Sequence, residues 1–266
     1  MKTPAPQISI VMPCYQQVQF VEEAVRSILD QEGVDVELIV MDPGSTDGTR
    51  ERLDALKEIY GERLQLHYAP DRGQADAINR GMALARGRVL GWLNSDDRLH
   101  PGALLLVARV LRTDKPQWLY GRCGMINAQG RAISPYIVWY KNFRGRRFST
   151  YKLLTENFIP QMATFWNRAL WDQVGGVDPE RHLDMDYDLF LKFARITLPS
   201  VLPDYLADFR IHQSAKSSRQ AFEVMDEALR TAREHARGLG WRGDLAIFLH
   251  RLYGLRTRAV YRLIKP

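Results

Sequence analysis

Ile8-Ser9-Ile10-Val11-Met12 is a short apolar run, and just beyond it the period changes: within residues 18–30, Val21, Val25, Ile28 and Leu29 recur at helical spacing. The first reads as a buried strand and the second as one face of a helix. The pair then repeats. Residues 36–41 read as a strand with a helix over 49–59, residues 64–68 as a strand with a helix over 74–85, and residues 89–93 as a fourth strand. Alternation of this kind predicts an α/β fold, with a mostly parallel sheet covered by helices on both faces. Ligands of such sheets bind beyond the carboxyl ends of the strands, so the residues just after each strand are the first candidates for a site.

Past a helix at 101–111 the pattern loosens into short strands, a turn at Asn127-Ala128-Gln129-Gly130 and a basic loop over 141–147. From residue 218 two helices are expected, separated near Gly238-Leu239-Gly240. This divides the chain into a catalytic-type domain over 1–217 and a helical tail over 218–266. A length of 266 residues and a 45% hydrophobic composition suit one sizeable domain with an appendage. Cys14 and Cys123 cannot build a disulfide framework, and their apolar neighbours predict buried free thiols in a reducing compartment, the cytoplasm. No apolar run reaches the length of a signal-peptide core or a membrane span.

The net charge of +6 is concentrated at the C-terminal end. Residues 241–266 hold Arg242, Arg251, Arg256, Arg258, Arg262 and Lys265 against Asp244 alone. The remainder is close to neutral, and no base-reading pattern accompanies it, which argues against a nucleic-acid binder. In the tail, Trp241, Leu245, Phe248, Leu249, Leu252, Tyr253, Leu255, Val260, Leu263 and Ile264 recur at roughly helical spacing. Such a basic amphipathic helix suits peripheral contact with an anionic membrane at its inner face, or packing on the domain or self-association through the C-terminal helices.

Two acidic clusters follow the second and fourth strands: Asp42-Pro43-Gly44-Ser45-Thr46-Asp47-Gly48-Thr49 and Asn94-Ser95-Asp96-Asp97. Adjacent carboxylates repel unless a cation or hydrogen-bond donors offset them, and Mg²⁺ or Mn²⁺ with a diphosphate is a suitable counterpart. The plainer readings are a turn with Asp47 as helix N-cap, and a solvated turn ahead of Pro101. A dinucleotide-binding Rossmann domain is excluded, because Pro13-Cys14-Tyr15-Gln16-Gln17 lacks the glycine-rich turn. An aspartyl-nucleophile phosphohydrolase is disfavoured, because Asp47 does not end a hydrophobic strand.

With these motifs the chain resembles the family-2 glycosyltransferases, which have the GT-A fold, from about residue 8 to residue 218. Pro13-Cys14-Tyr15 looks like the first nucleotide-contacting turn, and residues 42–49 look like the acid-Gly-Ser-Asp-Gly-Thr segment, where Asp42 would hold the base or ribose and Ser45 would lie against the nucleotide. Residues 71–81, with Arg72, Gly73 and Asp76, are similar to the segment that reaches nucleotide and sugar. Asn94-Ser95-Asp96-Asp97 stands where the family has its D-x-D-type metal motif. The match continues through Phe158-Ile159-Pro160-Gln161, Phe165-Trp166-Asn167-Arg168, Val174-Gly175-Gly176-Val177-Asp178 and Asp184-Met185-Asp186-Tyr187-Asp188, and closes on Arg210-Ile211-His212 through Ser217.

The resemblance implies an inverting, metal-dependent glycosyltransferase of the hexosyl type, taking a nucleotide sugar, UDP-linked by default, to a saccharide or lipid-linked acceptor in surface polysaccharide or glycolipid synthesis. It puts the general base on Asp186, donor contacts on Pro13, Tyr15, Asp42, Ser45, Arg72, Gly73, Asp76, Asn94, Asp96 and Gln161, and a Mn²⁺ or Mg²⁺ site on Asp96, Asp97 and His212. The chemistry itself asks for these types: a carboxylate to take the acceptor proton and a cation to neutralise the departing diphosphate. Asn94, Pro43 and Met185 depart from the family's usual acids. Met185 and the imperfect D-x-D at Asn94 favour an alternative, a catalytically silent nucleotide-binding module acting through its tail. Without the resemblance, Asp184, Asp186 and Asp188 would read as the acidic first turn of a helix.

Overall fold

The structure is a computed structural model that describes residues 5–213 and 220–264. Its first half follows the alternation in the sequence: β1 (Ile8–Pro13), α1 (Val21–Leu29), β2 (Val36–Asp42), α2 (Thr49–Tyr60), β3 (Leu64–Tyr68), α3 (Gln74–Leu84) and β4 (Val89–Trp92). The second half contains β5 (Arg98–Leu99), α4 (Ala103–Val110), β6 (Trp118–Asn127), α5 (Pro135–Gly145), α6 (Thr150–Thr155), β7 (Thr164–Asn167), α7 (Arg168–Val174), α8 (Met185–Ile196) and β8 (Ser200–Ile211). The chain ends in α9 (Ala221–Ala236) and α10 (Trp241–Ile264).

All eight strands form one sheet in the order β3-β2-β1-β4-β7-β6-β8-β5. The β3-β2-β1-β4 half is wholly parallel. The other half is mixed: β7 runs antiparallel to β4 and β6, β6 is parallel to β8, and β5 is antiparallel to β8. Alternate residues of β1 face opposite ways. Ile8, Ile10 and Met12 belong to the cluster shared with α1, α2 and α4, whereas Val11 packs against α3 in the opposite cluster, to which the aromatic residues of α8 also belong.

The end of the sheet remote from its carboxyl edge is held by a buried polar cluster. Ser9 Oγ donates to Glu37 Oε1 at 2.6 Å and accepts from Gly87 N at 2.7 Å, and Arg86 Nη2 meets Glu37 Oε2 at 2.7 Å. The cluster ties β1 and β2 to the turn entering β4, and Gln65 Nε2 of β3 reaches the same glutamate at 2.8 Å.

Two expectations are corrected in this half. Residues 141–145 of the expected basic loop are the last turns of α5, a helix in which Gly145 alone is buried, so the apolar periodicity that reveals other helices is missing. The expected short strands are β6 and β8, of 10 and 12 residues, whose pairing is interrupted by bulge-type register shifts around Arg122. The domain boundary expected near residue 217 lies outside the described residues, as do Lys216, Ser217 and Lys265.

The tail is packed onto the domain: α10 lies against α6 and α9, and α9 against α6 and α8. No helix among the described residues is long and apolar enough to cross a membrane.

Candidate active site

At the carboxyl edge of the sheet a cleft of about 1820 Å³ opens between the strand-end turns, α5, the α8 N-terminus and the two tail helices. Its wall includes Pro13, Tyr15, Gly73, Asn94, Asp96, Gln161 and Asp186. Seven of the residues expected at a donor or catalytic site therefore come together, although the sequence spreads them over 174 positions.

Each turn has a local cause. Gln16 adopts φ 57°, an uncommon value for a residue with a side chain. The loop after β2 fixes it there: Ser45 Oγ accepts from Gln16 N at 2.8 Å, Thr49 Oγ1 from Gln17 N at 2.8 Å and Asp47 Oδ2 from Val18 N at 3.1 Å. This leaves Tyr15 58% exposed at the cleft. Ser45 is consequently a buttress of the first turn and does not form the cleft wall. Asp47 is not the N-cap of α2, a position held by Gly48 in the left-handed region, although Asp47 Oδ1 does accept from Thr49 N at 3.1 Å.

Asp42 is fully buried. Its Oδ1 accepts from Gly44 N and Ser45 N, both at 2.8 Å, and from Arg50 Nε at 2.9 Å, while Oδ2 has no hydrogen-bond partner among the described residues. Arg72 and Asp76 are also placed differently from the expectation. Asp76 Oδ2 accepts from Arg72 N at 3.2 Å, closing the turn ahead of α3, and the Arg72 side chain, 82% exposed, meets Asp76 Oδ1 at 3.3 Å and is not part of the cleft wall.

A polar relay crosses the cleft floor. Gln74 Nε2 donates to Asn94 Oδ1 at 2.8 Å, Asn94 Nδ2 to Gln161 Oε1 at 3.4 Å, and Gln161 Nε2 to Trp92 O at 2.8 Å. Asn79, which no sequence pattern singles out, makes a two-way amide clamp with Val177: Nδ2 to Val177 O at 2.8 Å and Val177 N to Oδ1 at 3.1 Å. A Cβ on Gly176, whose φ is +86°, would meet Asn79 Oδ1 at 2.6 Å, so the glycine is required by both conformation and space.

The two neighbouring acids after β4 separate. The turn closed by Asp97 N to Asn94 O at 3.1 Å sends Asp96 toward the cleft and Asp97 into the body of the domain. Asp96 Oδ2 lies 3.0 Å from His212 Nε2, just past β8. Asp97 is 1% exposed, accepts from Arg210 N at 2.8 Å, and has its carboxyl pushed well above the usual range by burial and by the neighbouring Asp96 charge. No cluster of three or more metal-holding side chains is formed among the described residues. Asp96 and His212 are the pair suited to sharing an ion with an oxygen-rich ligand.

Asp186 stands in the first turn of α8, half-buried on the cleft wall. Burial there, with the Asp184 charge adding to it, pushes its carboxyl up to about 6. Its flanking acids serve another purpose. Arg181 contacts Asp184, Thr231 and Glu234, Thr231 also donates to Asp184, and His235 Nε2 lies 2.8 Å from Asp188 Oδ1. The tail helix α9 thereby holds the start of α8, and Thr231, Glu234 and His235 belong to the support of the site; nothing in their spacing announces this. Burial works to raise the Asp188 carboxyl, but His235 and Lys192 hold it down at about 2. Of the thiols, Cys14 is buried and pushed up to about 12 by that burial, while Cys123 is half-buried; both are free and both reach the cleft.

Residues 9–173 match the model of glycosyl transferase family 2. The chain belongs to that family. Among proteins similar to this chain is the chondroitin synthase of Pasteurella multocida (strain Pm70), 31% identical over 194 residues, covering 72% of this chain and 19% of the synthase. The chain thus spans about a fifth of the length of that relative. Solved structures similar in fold include the mannosyltransferase PcManGT of Pyrobaculum calidifontis in complex with GDP-Man and Mn²⁺, with TM-score 0.66 and 17% identity over 97% of this chain and 76% of that one. Another is S. aureus TarS 1-349 in complex with UDP-GlcNAc, with TM-score 0.63 and 18% identity over 87% of this chain and 67% of that one. The α/β architecture is that of GT-A glycosyltransferases.

Proposed function

We propose that this glycosyltransferase is inverting, takes a UDP-linked sugar, and transfers it to a hydroxyl of a saccharide or lipid-linked acceptor in surface polysaccharide or glycolipid assembly. The observation that carries the reading is that Asp186 and Asp96 line one cleft with different environments: the first poised by burial to accept a proton near neutral pH, the second joined to an imidazole at the strand edge.

Donor binding falls to the strand-end turns. Tyr15 offers an exposed ring for the base to stack on, and Oδ2 of Asp42, which has no hydrogen-bond partner among the described residues, suits an N–H of the base once the loop gives way slightly. Gly73 and the Gln74-Asn94-Gln161 relay face the sugar and diphosphate. The donor set fits a divalent ion: one carboxylate from Asp96 and one imidazole from His212 leave room for diphosphate oxygens, ligands that Mn²⁺ or Mg²⁺ favours. PcManGT was solved in complex with GDP-Man and Mn²⁺, and TarS 1-349 in complex with UDP-GlcNAc. When bound, the ion supplies positive charge against the leaving diphosphate.

Asp186 takes the proton of the acceptor hydroxyl as its oxygen attacks the anomeric carbon from the face opposite the diphosphate. The new C–O bond forms as the bond to the diphosphate breaks, with the electron pair leaving on the nucleoside diphosphate. One displacement inverts the configuration, so a single base suffices; a glycoside hydrolase would need a second, facing carboxyl.

The test is incubation of the purified chain with a panel of nucleotide sugars and Mn²⁺, with detection of the released nucleoside diphosphate. Thermal shifts with and without Mn²⁺ identify the base, because a ligand that binds only the native state raises the melting temperature. Stabilisation by no nucleotide, together with no diphosphate release, would overturn the reading.

A further inference from the structure

α10 is apolar on two opposite sides, with side chains of different sizes. Toward the protein it offers small or polar-tipped residues: Gly243 and Ala246 are buried, and the buried His250 places Nδ1 2.8 Å from Leu154 O of α6. At 100° per residue these lie on one side. On the other side, Trp241, Leu245, Phe248, Leu249, Leu252 and Leu255 are 70%, 48%, 55%, 43%, 47% and 64% exposed. Their angular positions fall within about 120° of the helix circumference, an unbroken stripe. Folding normally puts the largest apolar side chains inward; here six of them are left outside, and the contact is made by Gly243, Ala246 and His250 with the partly buried Ile247 beside them. A continuous stripe of this kind marks an interaction surface.

The charge along the stripe says what covers it. Arg242 and Arg251 are exposed on its two flanks and Arg256 is exposed just past its last leucine, with Asp244 as the one acid of α10. A second copy of the helix would bring arginines against arginines, whereas a lipid surface presents phosphates to them and acyl chains to the leucines.

A second helix contributes. On α5, Tyr136, Trp139 and Phe143 are 86%, 65% and 52% exposed, and the Trp139 and Phe143 rings stack with centroids 5.5 Å apart. Tyr136 of α5 and Tyr253 and Arg256 of α10 line the same cleft, so the two helices share its rim. Aromatic rings with polar edges favour the boundary between headgroups and acyl chains.

We propose that the outer stripe of α10, aided by the exposed aromatics of α5, docks the protein in the plane of an anionic lipid surface and holds the mouth of the cleft against it. The apolar side chains enter the acyl boundary and the arginines meet headgroup phosphates. Docking needs no sugar donor, so its outcome is independent of the glycosyl-transfer reading.

The full chain is sedimented with phosphatidylcholine vesicles, with and without phosphatidylglycerol, at low and high salt. It should pellet with the anionic vesicles and lose most of that binding at high salt. Phe248→Glu/Leu252→Glu should weaken binding by about tenfold or more, and Arg242→Gln/Arg251→Gln should remove most of its salt dependence. All four side chains are exposed, and an unchanged melting temperature verifies that the variants are folded. Failure of the wild type to pellet, or equal pelleting of Phe248→Glu/Leu252→Glu, overturns the proposal. So does a wild-type dimer in analytical ultracentrifugation that this variant dissociates while no vesicle binding is seen, which assigns the stripe to a second copy.

Discussion

His212 Nε2 lies 3.0 Å from Asp96 Oδ2 across a sequence separation of 116 residues, while Asp97, adjacent to Asp96, is turned to Arg210 N. Asp96→Asn or His212→Ala should weaken Mn²⁺-dependent UDP binding by about tenfold, or roughly 1.4 kcal/mol, in calorimetry with and without the ion. Asp97→Ala should act on stability instead. Stranding the buried Arg210 N–H costs about 1–3 kcal/mol, to be read from urea unfolding. A folded Asp97→Ala protein that has lost metal-dependent binding would reverse the assignment.

Asp186→Asn should lower kcat by about 10²–10⁴-fold, the usual contribution of a general base, and leave UDP affinity near that of the wild type. The amide has the same shape but cannot take the acceptor's proton. Steady-state rates and calorimetry on one preparation separate the two effects.

If Asp186 is the proposed base, its raised carboxyl should set the acid limb of the pH profile. A base works only when ionised, so kcat/KM should be maintained above pH 6 and fall as the pH drops through about 6. An ordinary aspartate would put that limb near pH ~4. Asp184→Asn removes a like charge that raises Asp186, and should move the limb to lower pH.

Arg181→Met should destabilise the protein by about 3 kcal/mol, because it leaves Asp184 and Asp188 buried without their shared cation. Thr231→Val should cost less, about 1 kcal/mol, the net value of a hydrogen bond. In both variants kcat should fall more than donor affinity, since Asp186 sits between the two anchored acids. A loss confined to donor affinity would show that α9 does not position the base.

The first four strands and three helices were legible because each has one apolar period and a well-marked end. The exception was the start of α1, placed at residue 18 where the helix begins at Val21; the intervening turn is shaped by hydrogen bonds from residues 45–49, which no local pattern records. α5 is not legible in the sequence because it buries almost nothing. The site was legible as a set of strand-end residues, but the roles of Asp42, Ser45, Arg72, Asp76 and Asp97 depended on which way turns point their side chains. Burial of α9 residues such as Thr231 and His235 depends on tertiary packing, which helical periodicity alone does not identify.

The polar cluster of Ser9, Glu37 and Arg86 lies at the end of the sheet away from the chemistry, and that position has an evolutionary consequence. Strand alignment is keyed at one end, where a slip by one residue would leave a buried glutamate without its cation. The loops at the opposite edge are thus released from the task of aligning strands. They are free to be exchanged, lengthened or rewritten for another donor or acceptor, while the scaffold below keeps each new loop in phase with its neighbours.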